Sequence, residues 1–368
     1  MIEAPLAPYL LWAKTRQPAA IDLAGSNLVH CAMDDLPGAR EALELTAPND
    51  NGFPPVVEAI ASHYSVGTDR IVTAIGCSGA NFITAAALLS AGDEVLIERP
   101  TYDPLIGVCR LMGATVIRFE RRFENGFAID PDEIARLVTP RTRLIVLTTP
   151  HNPSGVRVPP ETLAAVVRHA DSYGAHVLVD EVYLDGWCGV AAVKTGSRSA
   201  AAQDGPVVVT SSLTKSYGLA GLRSGWAIAP PATAERMRRA RDVIDNASPA
   251  PGDRLAALAW TLQPALAARA RAILTTNIAI AREFFGAHPE LLLAESPACS
   301  VTFPRVAGAS DSALFVQRAL AQGVAVAPGH FFEADAHFRI SLAGKTETLE
   351  EGLAILTRVL RDLRVRQD

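Results

Sequence analysis

Lys215 is the residue whose surroundings point most directly to chemistry. It closes Ser211-Ser212-Leu213-Thr214-Lys215, just after the apolar run Val207–Thr210, and Gly218-Leu219-Ala220-Gly221-Leu222-Arg223-Ser224-Gly225-Trp226 follows. An amine set among small residues rather than solvated charges loses hydration. Its pKa falls, and the free amine can form a Schiff base. Arg223 offers a planar fork suited to a phosphate. The bland alternative, a surface lysine ahead of a glycine-rich loop, is weak because the run is long and unusually composed.

Four other features sit at or just after a strand-like run. Gly76-Cys77-Ser78-Gly79-Ala80-Asn81 lies between a strand and a helix, where free N–H groups and the helix dipole attract an anion and a serine hydroxyl adds a donor. Taken alone it favours a plain glycine turn by roughly two to one, and it is not a GxGxxG fingerprint. Tyr102 in Pro100-Thr101-Tyr102 could stack on a flat heterocycle, although by itself loop packing is the better reading. Asn152 in Pro150-His151-Asn152-Pro153-Ser154-Gly155 is either a turn former or a ligand donor. Asp180 in Val179-Asp180-Glu181-Val182-Tyr183 closes an apolar strand, where an acid is costly unless paired. A carboxylate there can hold a protonated ring nitrogen, while Glu181 reads as structural.

The elements that must position these residues alternate. Strand-like runs cover Ile71–Ile75, Glu94–Glu98, Thr115–Phe119, Leu144–Leu147, His176–Asp180, Val207–Thr210 and Gly225–Ala229. Several are apolar at nearly every position, as strands buried on both faces are. Helices fit between them. Asn81–Ser90 stops at Gly92, Pro160–Tyr173 stops at Gly174, and Asp130-Pro131-Asp132-Glu133 offers an N-cap with a capping box. The expected architecture is α/β: a large domain with a mostly parallel seven-stranded sheet between helices, and a smaller α+β domain. In open sheets of this kind ligands bind at the carboxyl edge of the strands.

After Pro230 the pattern changes. A helical region from Ala232 to Phe285 breaks near Ser248-Pro249-Ala250-Pro251-Gly252. Short strands at Ser300–Phe303, Val324–Pro328 and His337–Leu342 then surround helical runs at Ser312–Gln322 and Thr348–Leu363. The division predicted is residues 1–45 packing with the small domain, 46–250 as the large domain and 251–368 as the small one.

Composition excludes several classes. The chain has 368 residues, 49% apolar and 20% charged, which is ordinary globular usage and excludes a disordered chain. A formal net charge of −5 argues against binding nucleic acid by phosphate neutralisation. No apolar window reaches the roughly 18 residues of a membrane span, and the start lacks the basic region of a signal peptide. The five cysteines, Cys31, Cys77, Cys109, Cys188 and Cys299, are scattered and form no CxxC pair, which argues against a zinc site or disulfide framework. The expectation is a cytoplasmic protein with no metal.

In this order and at these spacings, the five features resemble the fold-type I pyridoxal-phosphate enzymes, and among them the class I/II aminotransferases. The resemblance runs from about Asn51 to Leu342. It implies pyridoxal 5'-phosphate held by Lys215 as a Schiff base, with Asp180 paired to the ring nitrogen. Asn152 and Tyr183 match the donors to the ring's phenolic oxygen, and Tyr102 the aromatic stacked on the ring. Ser78, Gly79 and Ala80 match the phosphate cradle at the helix start, completed by Ser212 and Arg223. Arg339, in His337-Phe338-Arg339-Ile340-Ser341-Leu342, matches the arginine that clamps the substrate α-carboxylate. Asn152 also falls at the substrate. Gly25 and Asn27, in Asp22-Leu23-Ala24-Gly25-Ser26-Asn27, match the stretch covering the substrate. Lys215, Asp180 and Tyr102 form the implied catalytic set.

The sequence departs from the family at Ala47, where a tyrosine reaching the partner subunit's phosphate is common. Thr214 and Cys77 replace other small residues.

The function implied is transfer of an amino group from an α-amino acid to a 2-oxo acid, in ping-pong order, by a homodimer. β-Elimination, decarboxylation or ring formation on the same scaffold is the alternative, because fold and cofactor do not fix the fate of the carbanion. A non-catalytic binding protein would be expected to lack the lysine, and a nicotinamide dehydrogenase leaves Lys215, Asp180 and Arg339 unexplained. No second arginine announces a dicarboxylic substrate. Trp12, Phe53 and Trp187 could line an apolar pocket.

Overall fold

The structure is a computed structural model describing residues 7–46, 49, 51–188 and 199–364. Strand β1 is Ile21–Asp22, and the central sheet follows: β2 Ile71–Ile75, β3 Glu94–Arg99, β4 Thr115–Glu120, β5 Thr142–Thr148, β6 His176–Asp180, β7 Val207–Ser212 and β8 Ser224–Ile228. Their order across the sheet is β2-β8-β7-β6-β5-β3-β4. The pairs β4/β3, β3/β5, β5/β6 and β6/β7 are parallel, and β8 runs antiparallel to both β7 and β2. The mostly parallel seven-stranded sheet is therefore present.

Side chains of a strand alternate between faces, so a strand buried on both sides needs apolar residues throughout. Leu96, Ile145, Leu147, Val177, Val179 and Val209 enter one core. Their neighbours Val95, Ile97, Leu144, Val146, Leu178 and Val208 enter the other. Burying each such side chain contributes about 1.5–3 kcal/mol, which is why the runs are Val- and Ile-rich.

A second core holds Leu274, Ile278, Phe338, Ile340, Leu356 and Val359. Its small sheet pairs Phe338–Ser341 with Val301–Thr302 and with Ala327–Pro328. The N-terminal segment bridges the two bodies. β1 pairs in parallel with Val324–Ala325 and Leu23 is buried in the second core, whereas Leu36 and Ala39 join the core of the large sheet.

Three local expectations need correction. The first helix after β2 covers Gly76–Leu88, beginning five residues before Asn81, so the glycine motif is its first turn. The region 232–285 forms three helices, Pro231–Ile244, Ala250–Thr261 and Gln263–Ala287; the second break falls at Leu262, and Pro264 sits in the first turn of the last helix. Asp130 does cap the Pro131–Leu137 helix, accepting from the Asp132 N–H at 2.9 Å, but no capping box forms. Glu133 instead accepts from the Glu120 N–H at 3.2 Å and ties the helix to β4.

Candidate active site

The carboxyl ends of β5, β6 and β7, carrying Thr148, Asp180 and Ser212, converge with the start of the Gly76–Leu88 helix. There they wall a cavity of about 410 Å³. Tyr102, Asn152, Tyr183, Lys215 and Arg223 reach the same cavity, together with Ser78, Gly25 and Asn27. Residues spread over nearly two hundred positions of the chain thus meet at one edge. Gly79 and Ala80 belong to the helix's first turn, and Ala80 is buried in the core.

Asp180 ends β6 and is buried. Its Oδ2 accepts from the Asn81 side-chain amide at 2.9 Å, and its Oδ1 accepts from the Val182 N–H at 3.1 Å. Asn81 is fixed in turn by Thr210, whose hydroxyl donates to its Oδ1 at 2.6 Å. Burial raises the Asp180 pKa, and the Asn81 bond opposes that. A protonated nitrogen laid against this carboxylate would stabilise its charged form. Glu181, next in sequence, turns away and accepts from Ser199 and the Ala200 N–H, which is the structural role expected of it.

Lys215 sits in the short helix Leu213–Tyr217, which Ser212 caps by accepting from the Thr214 N–H at 3.3 Å. Its Nζ donates to Asn27 Oδ1 at 2.7 Å and to Ser26 Oγ at 3.0 Å. Burial, helped by the positive charge of Arg339, lowers its pKa to about 8. A lysine so poised is an amine nucleophile near neutral pH.

The helix start at Gly76 carries no side-chain cap, so its first N–H groups are open to an anion. Gly76 has φ +71°, and a Cβ there would lie 2.5 Å from Arg223 Nη2. Only glycine lets the guanidinium lie over the helix start. Gly225 is required for a different reason, since its Cβ would meet the Gly76 backbone, 2.3 Å from the carbonyl carbon. Among the described residues no carboxylate pairs with Arg223, which donates to the Ala220 carbonyl at 3.3 Å.

Arg339 is almost wholly buried and does not line the cavity; its guanidinium bonds to two residues that do, Asn152 and Tyr9. Nη1 donates to Asn152 Oδ1 at 2.8 Å. Nη2 donates to the Tyr9 hydroxyl at 2.5 Å and to the Ala24 carbonyl at 2.9 Å. Its Nε is buried without a partner. Asn152 is held by its own N–H, which donates to Thr148 Oγ1 at 3.0 Å, and by His151, whose ring bridges Ser154 and the Pro100 carbonyl. Tyr102 stands edge-on to Tyr9 with centroids 6.1 Å apart, and burial raises the phenol pKa of both Tyr102 and Tyr183.

Sequence reasoning gave no role to Asn81, Thr210, Ser26 or Tyr9. Asn81 carried a signal, as an amide in an otherwise small and apolar helix turn; Tyr9 carried none. Of the suggested apolar wall, Phe53 lies under Arg254, Trp187 lies under Arg157, and Trp12 packs on Phe331 behind Tyr9. Ala47 lies outside the described residues.

The model of the family "Aminotransferase class I and II" matches residues 23–356. The chain belongs to the class I and II aminotransferases. It is 28% identical to the aspartate/prephenate aminotransferase of Thermus thermophilus, over 84% of this chain and 82% of that protein. It is 30% identical to the capreomycidine synthase of Streptomyces vinaceus, over 97% of this chain and 94% of that one. A crystallised PLP-dependent aminotransferase from Streptococcus suis superposes with a TM-score of 0.87 at 26% identity, covering 98% of this chain and 99% of that one.

This class I and II aminotransferase is therefore a fold-type I enzyme, and its cofactor is pyridoxal phosphate. The cavity fits that group. An uncapped helix start under an arginine without a carboxylate partner suits the phosphate. A buried carboxylate suits the ring nitrogen, and a lysine of lowered pKa suits the aldehyde.

Proposed function

We propose that this enzyme transfers an amino group from an α-amino acid to a 2-oxo acid in ping-pong order, the first product leaving before the second substrate binds. When bound, pyridoxal phosphate supplies an aldehyde that condenses with amines and a ring that takes up the electron pair of a breaking bond at the substrate Cα. The rest is work for the chain's own residues.

Lys215 Nζ would hold the cofactor's aldehyde covalently and, once released, would be the base that moves the substrate Cα proton, a role its pKa lowered to about 8 suits. Asp180, oriented by Asn81 and Thr210, would keep the ring nitrogen protonated. Asn152 gives its Oδ1 to Arg339, so its amide Nδ2 would be the donor to the phenolic oxygen, with Tyr183. Tyr102 would cover the ring, and Ser78, Gly79, Ala80, Ser212 and Arg223 would hold the phosphate. Arg339 binds the substrate α-carboxylate and sets the angle of the Cα–H bond. Gly25 and Asn27 close over the substrate. The working unit is a homodimer, as is usual in this family.

The observation that carries this reading is a single cavity lined by a lysine of lowered pKa and a buried, hydrogen-bonded aspartate, with Arg339 buried behind it and bonded to the lining residues Asn152 and Tyr9. The test is a half-reaction with an amino donor and no acceptor. One equivalent of 2-oxo acid per active site is expected, and a later oxo acid should restore the starting absorbance. Failure of every donor to yield oxo acid contradicts the proposal.

The match to capreomycidine synthase favours one second reading, in which the same cavity serves a different reaction on an amino acid. Ammonia and pyruvate from a cysteine conjugate would favour that reading as an elimination.

A further inference from the structure

We infer that the buried Glu98–Arg121 ion pair is a positioning device for the carboxylate clamp: acting through Thr148 it fixes Asn152, and through Asn152 the Arg339 guanidinium. The inference deepens the aminotransferase reading and rests on its assignment of Arg339 to the substrate α-carboxylate.

The pair lies where three neighbouring strands end. Glu98 belongs to β3, Arg121 directly follows β4, and Thr148 closes β5. Both charged side chains are wholly buried, with Arg121 Nη1 2.8 Å from Glu98 Oε2. Taking two charges out of water costs about what their attraction returns, so apolar residues of similar size would serve stability as well. Arg121 sharpens the point, because its Nη2 is buried without a partner. Stability alone therefore does not account for the pair. Its hydrogen bonds show what it holds. Glu98 Oε1 accepts from the Thr148 N–H at 2.7 Å and from the Thr148 hydroxyl at 2.6 Å. Arg121 Nη1 also donates to the Thr148 carbonyl at 3.2 Å.

A hydroxyl carries one proton and two lone pairs. Glu98 takes the proton, so Thr148 Oγ1 turns a lone pair to the Asn152 N–H, which donates to it at 3.0 Å. An apolar side chain at position 98 would leave that hydroxyl free to rotate. Asn152 lies beyond the end of β5, where the sheet ladder no longer holds it. Its Oδ1 accepts from Arg339 Nη1 at 2.8 Å. The line from Glu98 to the guanidinium is thus unbroken. Arg121 acts on the same loop a second way. Burial, helped by its charge, pushes the His151 pKa well down and keeps the ring neutral. His151 Nε2 donates to the Pro100 carbonyl at 2.9 Å, tying the Asn152 loop to the loop that bears Tyr102.

Titration calorimetry of the holoenzyme with propanoate, succinate and 3-phenylpropanoate reads the clamp without any reaction. Thr148→Val keeps the side-chain shape and deletes the hydroxyl, whereas Thr148→Ser keeps the hydroxyl. Thr148→Val should raise the Kd of the tightest-bound acid at least about fivefold, and Thr148→Ser should stay within about twofold of the unaltered enzyme. In the half-reaction Thr148→Val should raise KM for amino donors by more than it lowers kcat. Glu98→Met combined with Arg121→Met removes both charges at once and leaves no lone buried ion. That double variant should fold and show the same loss of carboxylate affinity. An unchanged Kd in either folded variant overturns the inference. So does failure of both to fold, which would make the pair a support of the fold only. Binding of none of the three acids by the unaltered holoenzyme also overturns it, by removing Arg339 from the carboxylate. Weakened carboxylate binding in the variants, with no oxo acid from any donor even in the unaltered enzyme, supports the inference and overturns transamination instead.

Discussion

Lys215 concentrates the chemistry in one side chain, and its protonation can be followed directly. Burial lowers its pKa to about 8, so the cofactor-free enzyme should capture pyridoxal phosphate at a rate that rises with pH around a midpoint near 8. The stability of the same form follows by linkage. Between pH 8 and about 10.5 the unfolded chain binds more protons at this site than the folded one, so stability should rise across that window. Thermal melts of the cofactor-free protein check the sign. Lys215→Ala should lower the half-reaction by at least about 10²–10⁴-fold. Asn81→Ala tests a residue to which the sequence assigned nothing. Hydrogen bonds to charged groups are worth about 1.5–3 kcal/mol, so the cofactor Kd should rise about tenfold or more while the fold persists. Asp180, Lys215 and Arg223 stood out as charged residues at or just beyond strand-like runs, whereas Arg339, inside the strand Phe338–Ser341, was suggested only by the family resemblance. Asn81, Thr210 and Ser26 did not stand out, because an amide or hydroxyl acquires its meaning only from a partner distant in the chain.

The decisive element is the join between β2 and its helix. Gly76 at φ +71° lets the Arg223 guanidinium reach the helix start, and Gly225 leaves room for the Gly76 backbone. Gly76→Ala would carry a left-handed penalty of about 1–2 kcal/mol and push the guanidinium aside. The expected result is a cofactor Kd raised by about tenfold or more, measured by fluorescence titration. Gly225→Ala places a Cβ against backbone that cannot yield, and a loss of about 1–3 kcal/mol in denaturant titration is expected. The seven strands were readable because burial on both faces leaves a continuous apolar run. Helix limits were less so. The break at Leu262 is set by Pro264 opening a new helix, and the Glu133 carboxylate is diverted to β4. Both depend on packing rather than on local pattern.

At the scale of the whole molecule, the N-terminal segment does what local pattern could not announce. It pairs with Val324–Ala325 in one body, contributes Leu36 to the other, and sends Tyr9 to Arg339 across 330 positions of sequence. Sedimentation should give twice the 39.0 kDa chain mass if the proposed dimer forms, with a monomer contradicting it. The central claim is that Lys215 binds the cofactor covalently, and one measurement reaches it without any choice of substrate. The purified protein is saturated with pyridoxal phosphate, reduced with borohydride, digested and mapped by mass spectrometry. The account predicts one pyridoxyl adduct per chain, on the peptide containing Lys215. An unmodified Lys215 peptide, with the label absent or carried by other lysines, would contradict it.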